Sequence, residues 1–149
     1  MAQLVIACTI MVVAVGVAAV LRRRRSTDPP SQPLRTGSVP AQLDRKDFSR
    51  SDAPWLVAVF TSATCDACRL VRDKAIVLES DDVAVAEIEY PSARATHDRY
   101  GIDAVPMLVI ADDHGVVRRH FVGPVTATDL WAAVAEVRSS VEVDDGGVG

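Results

Sequence analysis

The stretch "WLVAVFTSATCDACRLV", Trp55 to Val71, joins an apolar run to a closely spaced pair of cysteines. Trp55–Phe60 is apolar throughout, the composition of a strand covered on both faces. Beyond the cysteines, Val71, Ala75 and Leu78 recur at i, i+4 and i+7, which predicts a helix over residues 67–79 with that face inward. Cys65 and Cys68 therefore stand at a helix start. Free backbone N–H groups and the helix dipole favour negative charge there. The first thiol gains thiolate character, and the thiolate is the attacking species. The second lies about one turn on, where it can attack the first sulfur and release a substrate from a mixed disulfide. Cys65 reads as the nucleophile and Cys68 as the resolving thiol.

Two other uses of the pair are weaker. A structural zinc site needs four ligands, and no second Cys-x-x-Cys or spaced His pair exists. The third cysteine, Cys8, lies in the apolar N-terminal run as a small filler. His97, His114 and His120 read as surface or edge residues on a helix, a turn and a strand. No metal and no cofactor are expected. A purely structural disulfide across one helical turn would close almost no loop and stabilise little.

Outward from the pair, the elements alternate. A short helix is expected over residues 44–51, then the strand 55–60 and the helix 67–79. Val83–Glu89, "VAVAEIE", reads as a strand, and Ser92–Tyr100 as a short polar helix. Met107–Ala111 and Val116–Phe121 flank "DDHG", which predicts a hairpin. Thr126 or Thr128 caps a last helix through Arg138, with Leu130, Trp131, Val134 and Val137 as its apolar stripe. The order (β)αβαβαββα predicts an α/β fold with a mixed central sheet and helices on both faces.

The chain has 149 residues and a formal charge of -4. Setting aside Arg22–Arg25 leaves 12 basic against 20 acidic residues, or -8. So acidic a domain lacks the basic face that nucleic acid requires, and no nucleic-acid partner is expected. Leu4–Leu21 carries no charge, and at ~1.5 Å per residue it spans roughly 27 Å, close to a bilayer core of ~30 Å. It reads as one transmembrane helix, since a signal peptide would carry a basic N-terminal region. All flanking charge lies at Arg22–Arg25, which places everything beyond it in the cytoplasm. Residues 22–39 form a basic stop and a Pro/Ser-rich linker, 40–140 the folded domain, and 141–149 an acidic Gly-rich tail. The expected protein is single-pass in the cell membrane, with its domain facing the cytoplasm.

From about residue 48 to 138 the chain resembles thioredoxins. The matching pieces are "WLVAVFTSATCDAC" and "YGIDAVPMLVIADDHGVVRRHFVGPVTATDLWAAV". The resemblance implies a thioredoxin-like fold and a redox-active Cys65/Cys68 dithiol. It also implies a cis proline at Pro106, which with Val105 would pair with an extended substrate peptide. The sequence departs from the family's pattern in several places. Thr64 replaces the usual Trp before the first cysteine, and Asp66-Ala67 replaces Gly-Pro between the two. Val59 stands where a buried Asp usually assists proton transfer, and Val85 where a Lys is common. Asp66 and Thr64 are therefore expected to modulate the dithiol. A carboxylate at Asp66 opposes thiolate formation, unless its role is to cap the helix.

The expected function is membrane-tethered thiol–disulfide oxidoreduction. In a reducing cytoplasm the direction would be reduction of protein disulfides, with a reductase supplying electrons. The alternatives are an extracytoplasmic oxidase, isomerase or maturation reductase, or a non-enzymatic binding module switched by its dithiol.

Overall fold

The computed structural model describes residue 11 and residues 38–145. The expected membrane helix over 4–21 lies, but for Met11, outside the described residues, as do the basic stop and most of the linker. Among the described residues no helix is long and apolar enough to cross a membrane.

Four strands form one sheet. They are β1 (Trp55–Ser62), β2 (Val83–Tyr90), β3 (Met107–Ala111) and β4 (Val117–Val122), in the order β2-β1-β3-β4. The β1–β2 pair is parallel, while β1–β3 and β3–β4 are antiparallel. The helices are α1 (Asp66–Ile76), α2 (Arg94–Tyr100) and α3 (Ala127–Asp145). The parallel pair needs a crossover, and α1 supplies it.

The alternation along β1 sorts the core into two layers. Val57 and Val59 face α1 and α3, in a cluster with Val71, Ala75, Leu108, Ile110, Leu130, Val134 and Val137. Leu56, Ala58 and Phe60 face the other way, with Leu43, Phe48, Met107 and Val109 and the partly buried Tyr100 of α2. The mixed sheet with helices on both faces is thus as expected. Each fully buried Leu, Ile, Val or Phe side chain contributes about 1.5–3 kcal/mol against the entropy of ordering the chain.

Several local expectations need correction. The segment 44–51 forms only a 3-10 turn, Arg45–Asp47, capped by the Asp44 carboxylate. A longer helix would break the ties that bury Arg45, whose guanidinium donates to the carbonyls of Asp112 (2.7 Å) and Ala53 (2.8 Å). Helix α1 begins at Asp66 and ends at Ile76, short of Glu79. Helix α2 starts later than expected and stops at Gly101, which takes the left-handed conformation (φ 62°). Strand β4 is displaced by one residue, because Asp112 organises the turn by accepting from the N–H groups of His114 and Val116. Thr126 is the residue that caps α3, its hydroxyl accepting from the Asp129 N–H. The helix passes Arg138 and continues to Asp145, since no glycine or proline interrupts it before Gly146. Trp131 leaves the apolar stripe: it is 47% exposed, and its indole N–H donates to the Lys74 carbonyl near the end of α1.

Candidate redox site

Strand β1 delivers the chain to the cysteines through a short turn. The Cys65 N–H donates to the Ser62 carbonyl (3.0 Å), and the hydroxyls of Ser62 and Thr64 lie 3.3 Å apart. Cys65 is then the N-cap of α1, with extended backbone (φ -104°, ψ 104°), and its Sγ accepts from the Cys68 N–H at 3.2 Å. Capping is usually done by a side-chain oxygen. Here the sulfur receives the Cys68 N–H, shared with the Cys65 carbonyl (3.2 Å), so a Cys65 thiolate would gain a charge-assisted hydrogen bond as well as the helix dipole.

The two cysteines are joined in a disulfide, with Cα atoms 5.4 Å apart. Their exposures differ. Cys65 is half-buried, whereas Cys68 is 2% exposed. An incoming sulfur therefore meets Cys65 first. Asp66 is the first residue of α1 and is exposed. Because Cys65 makes the cap bond, Asp66 is not the cap, and its carboxylate acts as a charge beside the reactive sulfur. Thr64 is exposed on the turn that leads into Cys65.

A cavity of about 230 Å³ opens under the start of α1, lined by Thr61, Cys65, Asp66, Cys68, Arg72 and Glu87 among others. Glu87 lies on β2 in register with Val59, so it shares the face of β1 that carries Val59 and Thr61. Its carboxylate accepts from the buried Thr61 hydroxyl (3.0 Å) and pairs with the Arg72 guanidinium (3.6 Å). Arg72 also bonds Asp73. The Asp73 hydrogen bond, followed by the charge of Glu87, holds the guanidinium above its ordinary pKa. Glu87 was not among the sequence candidates. The available signal was its position: charged residues at Glu87 and Glu89 end a strand whose same-face residues begin as Val83 and Val85.

Val59 is fully buried in apolar surroundings, and Val85 is partly buried beside the same cluster. On the far side of the disulfide, the Val105–Pro106 bond is cis, as the resemblance implied, and so is Tyr90–Pro91. Pro106 is buried, and its carbonyl accepts from the Gly123 N–H (2.7 Å). Val105 lines a second cavity of about 230 Å³ with Ser62, Tyr90, His97 and Asp103. Ser62 borders both cavities, so the structure brings the Val105 loop and the cysteine turn to the same end of the sheet.

His97 is not a surface residue. It is 4% exposed, against the ring of Phe60, and its Nε2–H donates to the Ile88 carbonyl (2.9 Å). A polar helix concealed this, because its single inward face carries a histidine. Among the described residues, ligand-type atoms of Asp112, Asp113 and His114 come within 4.8 Å of one another, away from the cysteines. The Asp112 carboxylate there is already engaged by two backbone N–H groups and Arg118.

No family model and no curated protein matches the chain. Solved structures do. A mutant thioredoxin from Halobacterium salinarum is 25% identical with a TM-score of 0.50, covering 66% of this chain and 89% of that one. The thioredoxin of Fasciola hepatica is 22% identical with a TM-score of 0.52, covering 61% and 88%. Both similarities show the fold, and the Cys-x-x-Cys disulfide at the start of α1, with the first of them, supports thiol–disulfide oxidoreductase chemistry. The chain has a thioredoxin-like fold, with a Cys65–Cys68 disulfide at the start of α1.

Proposed function

We propose that the chain is a membrane-tethered protein-disulfide reductase. The observation that carries this reading is the placing of Cys65: half-exposed, at the N-cap of α1, its sulfur already accepting a backbone N–H. In the reduced protein the Cys65 thiolate attacks a substrate disulfide. One substrate sulfur leaves as a thiolate and the other is held on Cys65. Cys68 then attacks the Cys65 sulfur, so the Cys65–Cys68 bond forms and the second substrate thiol is released. Two electrons pass to the substrate, and a donor reductase or dithiol returns them.

Val105, which lines a cavity with Ser62 of the cysteine turn, and Pro106 are the proposed seat of an extended substrate segment. Residues 4–21 anchor the protein, and Arg22–Arg25 hold the domain at the cytoplasmic face. The buried thiol finds no acid at Val59, which favours slow turnover. The test is reduction of insulin disulfides by the chain, recycled with excess dithiol. The wild type reduces insulin above the dithiol background, and Cys65→Ser does not. Equal rates for the two proteins overturn the reading.

A further inference from the structure

Resting on the dithiol reading above, we propose that Glu87 is the general base that takes the proton of Cys68 when Cys68 resolves a mixed disulfide. The need comes from burial. Cys68 is 2% exposed, and a buried thiol resists ionisation. To attack, it must deliver its proton to a group in reach. The charged side chains that line the cavity at Cys68 are Asp66, Arg69 and Arg72 from α1 and Glu87 and Glu89 from β2. The arginines cannot accept a proton. Asp66 is exposed at the helix start; Glu87 is also 37% exposed, but its carboxylate is held by Thr61 and Arg72.

Glu87 is distinguished by how it is held. Arg72 lies one turn beyond Cys68 on α1, on the same side of the helix. Glu87 Oε2 lies 3.6 Å from that guanidinium, and Glu87, Arg72 and Cys68 line the same cavity. Oε1 accepts from Thr61, which is itself 1% exposed. Each oxygen keeps a lone pair free to accept a proton. The cavity is large enough for several waters at ~30 Å³ each, so transfer is direct or through one of them.

The step balances as follows. The Cys68 proton passes to the Glu87 carboxylate, and the Cys68 thiolate attacks Cys65 Sγ. The Cys65–Cys68 bond forms, and the Cys65–substrate sulfur bond breaks with its electron pair leaving on the substrate thiolate. The dithiol loses two electrons and the substrate disulfide gains them. When the Cys65–Cys68 disulfide is reduced, the protonated Glu87 returns the proton to Cys68. The carboxylate absent at Val59 is thus replaced from the next strand, by the residue in register with it.

The test uses the reduced full-length chain carrying Cys8→Ser, mixed with an aromatic disulfide, dithiobis(nitrobenzoate). The first nitrobenzoate thiolate reports attack by Cys65, and the second, concentration-independent phase reports resolution by Cys68. Glu87→Gln should slow the second phase about a hundredfold at pH 6–7 and leave the first phase intact, the low end of what general bases contribute. The deficit should shrink as the pH rises, because hydroxide can then take the Cys68 proton without Glu87. Thr61→Val, which frees Glu87 from one of its holders, should show the same pH signature more weakly. Glu89→Gln should follow wild type. An unchanged profile in Glu87→Gln, a slowing of equal size at every pH, or the effect appearing in Glu89→Gln instead overturns the inference. The probe is a small molecule, so failure to reduce insulin would overturn the reductase reading while leaving this result interpretable.

Discussion

Replacing Asp66 by Asn isolates the feature of this dithiol that most opposes thiolate formation. Cys65 is the N-cap of α1 and Asp66 the first helical residue, and the cap bond to the Cys68 N–H belongs to sulfur. Asn therefore changes charge without removing a cap. Charges on adjacent side chains at a helix start lie ~6–7 Å apart, which at an effective dielectric of ~40–80 gives ~0.6–1.3 kcal/mol of repulsion. Asp66 is exposed, so salt matters. A Debye length of ~30 Å at 0.01 M leaves ~0.5–1 kcal/mol, and one of ~8 Å at 0.15 M leaves ~0.3–0.6 kcal/mol. The Cys65 pKa should therefore fall in Asp66→Asn by ~0.4–0.8 unit at low salt and ~0.2–0.4 unit at physiological salt. A lower thiolate pKa stabilises the dithiol form, so the variant should be a slightly stronger oxidant, by at most ~20 mV at low salt. Titration of thiolate absorbance on both proteins at the two salt concentrations measures the shift. A pKa that does not move at low salt, or that rises, refutes the electrostatic reasoning.

Other outcomes follow from single contacts. Trp131→Phe keeps the ring but loses the bond to the Lys74 carbonyl, and should lower stability by ~0.5–1.5 kcal/mol, a drop of several degrees in Tm. An unchanged Tm would show that water replaces the bond at no cost. In the reduced protein Cys65 should alkylate much faster than Cys68 at neutral pH, because Cys68 is 2% exposed. Equal labelling would contradict the assigned roles. Protease added to intact cells should leave the domain uncut if Arg22–Arg25 hold it in the cytoplasm. Efficient cleavage from outside would move the protein to the extracytoplasmic alternative.

The sequence made the sheet legible where one rule acted alone. The apolar run at Trp55–Phe60 becomes the central β1 because both its faces are covered, and Val71 and Ala75 become the inward face of α1, with Leu78 packed on the same cluster just beyond its end. "DDHG" becomes the hairpin turn because an Asp at its start can bond the N–H groups that follow. Legibility failed where a polar residue did the work of an apolar one. His97 and Arg45 are buried because distant carbonyls, at Ile88, Asp112 and Ala53, satisfy them, and no local pattern announces a distant carbonyl. Trp131 fits the apolar stripe by spacing, yet its N–H turns it toward the end of α1. The cysteines themselves were evident from spacing alone. Glu87 was not, since the register that aligns β2 with Val59 exists only after the sheet has formed.

The division of labour between the two cysteines is tested most directly by trapping. The full-length chain carrying Cys68→Ser, with Cys8 also replaced, is reduced, freed of reductant and mixed with a protein disulfide such as insulin. Mass spectrometry after acid quench should find one substrate chain held on Cys65 and stable to dilution, because no neighbouring thiol can release it. The same chain carrying Cys65→Ser with Cys68 intact should hold none. Accumulation of the adduct on Cys68 in Cys65→Ser, or no adduct on Cys65 in Cys68→Ser, would contradict Cys65 as the attacking thiol.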